Sequence, residues 1–243
     1  MDRLILDRVV EINQEIEIEG PLLEALRFQG GREGSLITLT DAGGNDFRGR
    51  VLSRSGTQAS LLIFHRFPST TESTVEIVLL QALPERERME LIIQKTTELG
   101  ISTIIPFKSA RSISLEEREA KQKKAHRWQE LAVKAVQQSR RAKMPHVEAY
   151  RSFEEALKAC GGEGLKILLW EKKGEHLRQV LNQYHLKKIY AMVGPEGGFT
   201  EEEVTQAREA GFISIKLGQR ILRTETAAIT LVGILQYELG DMS

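Results

Sequence analysis

Residues 193–227, VGPEGGFTEEEVTQAREAGFISIKLGQRILRTETA, read as strand, glycine-rich turn, helix, strand, second turn and helix. A strand leading through such a turn into a helix N-terminus is how α/β proteins hold a nucleotide-like ligand. In the first turn, Gly194-Pro195-Glu196-Gly197-Gly198, glycines bring the backbone close to a ligand, while Pro195 stiffens it. Thr200 and Glu203 have the spacing of a capping box. The turn lacks the Lys-Ser/Thr of a phosphate loop and the GxGxxG of a dinucleotide fold. Glu196 and the acidic helix start Glu201-Glu202-Glu203 would repel a phosphate, so an adenosine without phosphate, or a cationic ligand, fits better. A plain tight turn is the alternative.

The second turn, Leu217-Gly218-Gln219-Arg220-Ile221-Leu222-Arg223, places two aliphatic side chains between arginines. Loops are usually polar, so this pattern reads as a wall against a flat apolar group such as a purine. The alternative is a strand end that drops Ile221 and Leu222 into the core. Two such turns one βα unit apart can close on a single ligand.

The surrounding pattern is α/β. Val75–Ala82, Ile101–Pro106, Leu165–Trp170, Ile189–Val193 and Phe212–Leu217 read as strands, the first as a continuous apolar run suited to a parallel sheet. Arg86–Leu99, Glu116–Arg141, Ser152–Cys160, Glu201–Ala210 and Glu225–Leu239 read as helices. Alternation of this kind implies a mostly parallel sheet across 73–243. Residues 1–70 differ: Leu4–Leu6, Leu36–Leu39, Phe47–Leu52 and Ala59–Phe64 are short strands separated by turns, with one helix near Pro21–Phe28, which suggests a small β-barrel. Pro68–Thr71 is the linker candidate.

Lys+Arg and Asp+Glu are both 34, which argues against a strongly basic nucleic-acid binder. The charge is uneven, however. From Arg118 to Lys143 there are nine cations against Glu119 and Glu130. This is a solvated helix face or a phosphate-binding surface. The lone Cys160 forms no internal disulfide, and the five histidines show no metal spacing, so no metal is expected. The start lacks a secretory apolar region and no run is long enough to span a bilayer, so a cytoplasmic protein away from membranes is expected.

GPEGGFT, LGQRILRTETA, KTTELGISTIIPF and RWQELAVKAVQQSRRAKMP, in that set, resemble the RsmE-type 16S ribosomal RNA uracil-N3 methyltransferases of the SPOUT superfamily. The resemblance covers nearly all of 73–243, with a weaker likeness of 1–70 to that family's PUA-like barrel. It implies a trefoil-knot domain that binds S-adenosylmethionine, a homodimer, and 16S rRNA within the 30S subunit as substrate. Cofactor contacts fall on Leu169, Trp170, Glu171, Val193, Gly194, Pro195, Glu196, Gly197, Gly198, Leu217, Gly218, Ile221, Leu222, Thr226 and Ala227. RNA contacts fall on Arg3, Arg27, Gln138, Arg140 and Arg141.

The chemistry needs a methyl donor and acceptor held in line, and a way to lose the uracil N3 proton. Arg223 is a candidate for stabilising negative charge on the uracil carbonyls, with a phosphate clamp or dimer salt bridge as alternatives. Glu196 either accepts the proton or contacts the cofactor, the second being favoured. Family members usually carry a histidine near the stretch matching PLLEALR, and a lysine where this chain has Glu85-Arg86. A non-catalytic assembly factor, or a knotted enzyme acting on transfer RNA or ribose, is the competing class.

Overall fold

The computed structural model describes residues 3–67, 72–113, 128–139, 141, 143–184 and 187–242. Two compact units emerge, Met1–Glu72 with Val136–Lys143, and Ser73–Ala135 with Met144–Ser243. The linker candidate, Pro68–Thr71, lies outside the described residues. The grouping of 136–143 with the first unit departs from the expected single boundary. Its cause is Arg141, whose guanidinium reaches Glu72 Oε2 at 2.8 Å, while the Lys143 N–H donates to Glu72 Oε1 at 2.8 Å.

In the first unit, strands β1 (Arg3–Ile5), β2 (Glu15–Glu19), β3 (Leu36–Thr40), β4 (Asp46–Arg54) and β5 (Gln58–Arg66) form one sheet in the order β1-β3-β4-β5-β2. Only β1–β3 is parallel. Ile16, Ile18, Ile37, Leu39, Leu61 and Ile63 pack on its inner face with Leu23 and Leu26 of helix α1 (Gly20–Phe28). The sheet curls, helped by irregularities between β4 and β5, but β1 and β2 are unpaired edges among the described residues. It is a half-barrel. The strand absent from the sequence reading is β2, EIEIE, whose isoleucines face in and glutamates out.

In the second unit, strands β6 (Glu76–Ala82), β7 (Thr103–Phe107), β8 (His146–Val147), β9 (Leu165–Leu169), β10 (Glu175–His176), β11 (Lys188–Val193) and β12 (Ile213–Lys216) run in the order β10-β12-β9-β11-β6-β7-β8. Every described pair is parallel. Helices α2 (Arg86–Glu98), α5 (Leu177–Leu181) and α7 (Thr224–Leu239) cover one face through Ile92, Leu177, Leu231 and Leu235. Helices α4 (Phe153–Ala159) and α6 (Glu201–Glu209) cover the other through Phe153, Ala156, Val204 and Ala207. Coverage on both sides explains why β6 is buried from Ile77 to Ala82. Helix α3 (Trp128–Ser139) is the described part of the helix expected over 116–141.

Strands β9, β11 and β12 are neighbours. Their carboxyl ends feed the segments 170–174, 194–200 and 217–223, so the two motifs and a third wall emerge side by side. The crevice outside the carboxyl ends of such strands is where open α/β sheets hold ligands.

Candidate cofactor cleft

The apolar run of β11 ends at Val193, and the chain turns at once. The Gly198 N–H donates to the Pro195 carbonyl at 3.0 Å. Gly198 has φ +66°, a conformation costly for any residue with a Cβ. The helix that follows starts on a full capping box: Thr200 Oγ1 accepts from the Glu203 N–H at 3.2 Å, and Glu203 Oε2 accepts from the Thr200 N–H at 2.9 Å. Glu203 is buried and its other oxygen accepts from the Ala110 N–H at 2.8 Å, while Arg111 Nη1 donates to the Gly197 carbonyl at 2.7 Å. The turn is therefore held from outside itself. The helix amides and Thr200 lower the Glu202 pKa, with help from Arg111. An acidic first turn already answers the positive end of the helix, leaving little call for a phosphate there.

The second loop leaves β12 at Leu217 and bends at Gly218, φ +79°. Ile221 is 85 % exposed, which rules out its burial in the core. None of the N–H groups from Gly218 to Arg223 finds a hydrogen-bond partner among the described residues. They are left for water or a ligand. The loop ends on Thr224, whose hydroxyl donates to the Gly194 carbonyl at 2.6 Å and receives Gln81 Nε2 at 3.1 Å. That chain of bonds joins the first loop, the start of α7 and the end of β6.

The third wall is Leu169, Trp170 and Glu171. The Trp170 N–H donates to the Ile215 carbonyl at 3.1 Å, which keeps the wall beside β12. Arg208 covers the indole, its guanidinium carbon 5.2 Å from the ring centroid. Together the three segments enclose a cleft of about 450 Å³. That volume lies within the roughly 300–1,000 Å³ of small-molecule sites.

Residues 71–236 match the family described as an RNA methyltransferase domain. The ribosomal RNA small subunit methyltransferase E of Bacillus subtilis (strain 168) is 33% identical over 213 residues, 85% of this chain and 83% of that protein. The chain belongs to the small subunit methyltransferase E family. A crystal structure of the family's Neisseria gonorrhoeae member, bound to S-adenosylmethionine, is 33% identical and matches all of both chains with a TM-score of 0.81. A Legionella pneumophila methyltransferase, also solved with that cofactor, is 28% identical over 98% of each chain, with a TM-score of 0.73.

Set against this family's motifs, the cleft gathers every cofactor residue expected from the sequence but one: Leu169, Trp170, Glu171, Val193, Gly194, Pro195, Glu196, Gly197, Gly198, Leu217, Gly218, Ile221, Leu222 and Ala227 all line it. Thr226 does not, and is exposed in the first turn of α7. Thr224, two residues earlier, does line it. Arg223 lines the cleft, and its guanidinium meets no ion-pair or hydrogen-bond partner among the described residues. Glu196 lines it too, but its Oε1 accepts from the Glu85 N–H at 2.9 Å and pairs with Arg88 Nη1 at 3.0 Å. That engagement favours a holding role over proton abstraction. Arg88, Phe199 and Arg220, which were not among the expected cofactor contacts, also line the cleft.

The expected RNA contacts fare differently. Gln138 is exposed on α3. Arg27 is exposed, though its guanidinium donates to the Ser55 and Gly56 carbonyls. Arg3 lies on β1, and Arg140 lies outside the described residues, as do the cations from Arg118 to Arg127. Arg141 differs: it is 4 % exposed and bound to Glu72, so its charge is engaged inside the first unit. Among the described residues no cluster of His, Cys, Asp and Glu is placed to hold a metal, and no helix is long and apolar enough to cross a membrane.

Proposed function

We propose that the protein transfers a methyl group from S-adenosylmethionine to N3 of a uridine in the 16S rRNA of the small ribosomal subunit. One observation carries the reading: a cleft of adenosine size, walled by three loops at the carboxyl ends of β9, β11 and β12, whose second loop has backbone N–H groups without a partner among the described residues. The residues fit the cofactor. Unpaired amides between Gly218 and Arg223 suit the edge of an adenine, and Ile221 and Leu222 suit its faces. Gly194 to Gly198, without a lysine and with Glu196 among them, suit a sugar and a cationic sulfonium better than a phosphate.

When bound, the cofactor supplies an electrophilic methyl on its sulfonium. The chain supplies position. Thr224 and Gln81 fix the first loop against α7. A cleft that holds donor and acceptor in line can lower the barrier by roughly 7–11 kcal/mol. Arg223, whose guanidinium has no partner among the described residues, stabilises the negative charge that builds on the uracil carbonyls as N3 loses its proton. Glu196 holds the first loop to the start of α2 through Glu85 and Arg88, and the N3 proton leaves to water.

The wider assembly belongs to the same reading. The unit 1–70 is a PUA-like RNA-binding half-barrel and 73–243 is the catalytic, knotted domain. Arg3, Arg27, Gln138 and Arg140 grip the rRNA, and the target base is turned outward to reach the cleft. Two copies pair through the catalytic domain in the cytoplasm. Exposed Tyr237 and Met242, and a second cavity of about 510 Å³ lined by Leu177, Leu181, Leu222 and Ile234, support such pairing.

Primer extension on 16S rRNA tests the proposal. Small subunits lacking the modification are incubated with the protein and S-adenosylmethionine. A new stop is expected, because N3 methylation blocks the pairing edge. Unchanged stops, or methyl incorporation found only on ribose, would contradict it.

A further inference from the structure

Arg88 belongs to none of the sequence motifs, yet it sits where the two cleft loops meet. It lies in the first turn of α2, lines the cleft, and faces three carboxylates. Its Nη1 is 3.0 Å from Glu196 Oε1 in the first loop, its Nη2 is 3.7 Å from Glu85 Oε2, and its Nε is 3.9 Å from Glu225 Oε2 in the first turn of α7. Glu225 is the telling member. Its side chain is 13 % exposed, and Oε2 is buried with no hydrogen-bond partner among the described residues. A buried carboxylate oxygen is costly unless a charge compensates it, and Arg88 is the cation recorded beside it.

We infer that Arg88 is a positioning residue: one guanidinium binds Glu196 and compensates Glu225, so it ties the first cofactor loop to the helix on which the second loop ends and thereby sets the width of the cleft. This rests on the cofactor reading above and adds a residue to it. A planar guanidinium can face two carboxylates from different nitrogens at once, whereas a lysine ammonium is a single point charge. The tie complements the neutral chain Gln81–Thr224–Gly194, which joins the same elements at a buried point.

Amide hydrogen exchange of the ligand-free protein tests the tie without the cofactor. Arg88→Met and Glu225→Gln should each speed exchange of the hydrogen-bonded Gly198 and Ala227 amides, and the double variant should exchange no faster than Arg88→Met. With S-adenosylmethionine, calorimetry should show binding weakened about tenfold in Arg88→Met and less in Arg88→Lys, which keeps the charge and guards against a folding defect. The KM for the cofactor should rise while kcat at saturation stays within about threefold. Unaltered exchange at Gly198 and Ala227, or a double variant whose effects multiply, would overturn the inference. Failure of the parent protein itself to bind S-adenosylmethionine would instead overturn the proposed function, and leaves the exchange result to judge the tie.

Discussion

Glu196 and Arg223 share a cleft but differ in what surrounds them. Glu196 is engaged by an N–H and a guanidinium, and Arg223 is free among the described residues. Glu196→Gln should therefore weaken S-adenosylmethionine binding about tenfold, the worth of a charged hydrogen bond, and leave the shape of the pH–rate profile unchanged. Loss of the acidic limb would make it the base instead. Arg223→Ala should lower kcat by about 10²–10³ with cofactor affinity nearly intact, as removal of an oxyanion contact does. Equal losses in kcat and affinity would place Arg223 on the cofactor. Cys160 is fully buried at the end of α4, and burial pushes its thiol up to about 12 from 9.0. The folded chain keeps a proton that the unfolded chain releases, so stability is flat below pH 9 and falls as pH rises from there toward 12, by about 1.4 kcal/mol per unit. Denaturation of parent and Cys160→Ala across that range should show the steeper alkaline loss in the parent, and parallel curves would contradict the assignment. Residue identities of this kind were legible at the two motifs. Arg88 and Thr224 were not, because their roles depend on β6 pairing with β11, a contact between segments far apart in the chain.

Both capping boxes, Ser152 with Glu155 and Thr200 with Glu203, were legible as spacings and are formed. What spacing does not reveal is that they differ in burden. Glu155 serves its own helix at the surface, whereas Glu203 is buried and also holds Ala110 beside the cofactor turn. Ser152→Ala should cost about 1 kcal/mol in denaturant unfolding. Glu203→Ala should cost about 2–4 kcal/mol, since two backbone donors lose their acceptor in a part-buried place. Equal costs would mean that the link to Ala110 contributes nothing. The parallel strands were legible from apolar runs, β6 most clearly. Strand β2 was legible in principle, since EIEIE alternates, but its glutamates mask the apolar half of the pattern. Two-residue β8 and β10 and the single turn of α5 are too short for any periodicity to register.

For the whole molecule, the change near residue 72 from short strands with turns to alternating strand and helix was legible in the sequence. The return of Val136–Lys143 to the first unit was not, because a buried pair between Arg141 and Glu72 leaves no local trace. That pair also shows that a charge run need not be uniform: one of nine cations from Arg118 to Lys143 is buried against a carboxylate. The account depends most on the identity of the ligand between the two loops. A crystal structure of the protein grown with S-adenosylmethionine should place the adenine against the amides of Gly218 to Leu222, the sugar beside Gly194 to Gly198, and the methyl directed toward Arg223. An empty cleft at saturating cofactor, or a cofactor seated anywhere other than between those loops, would contradict it.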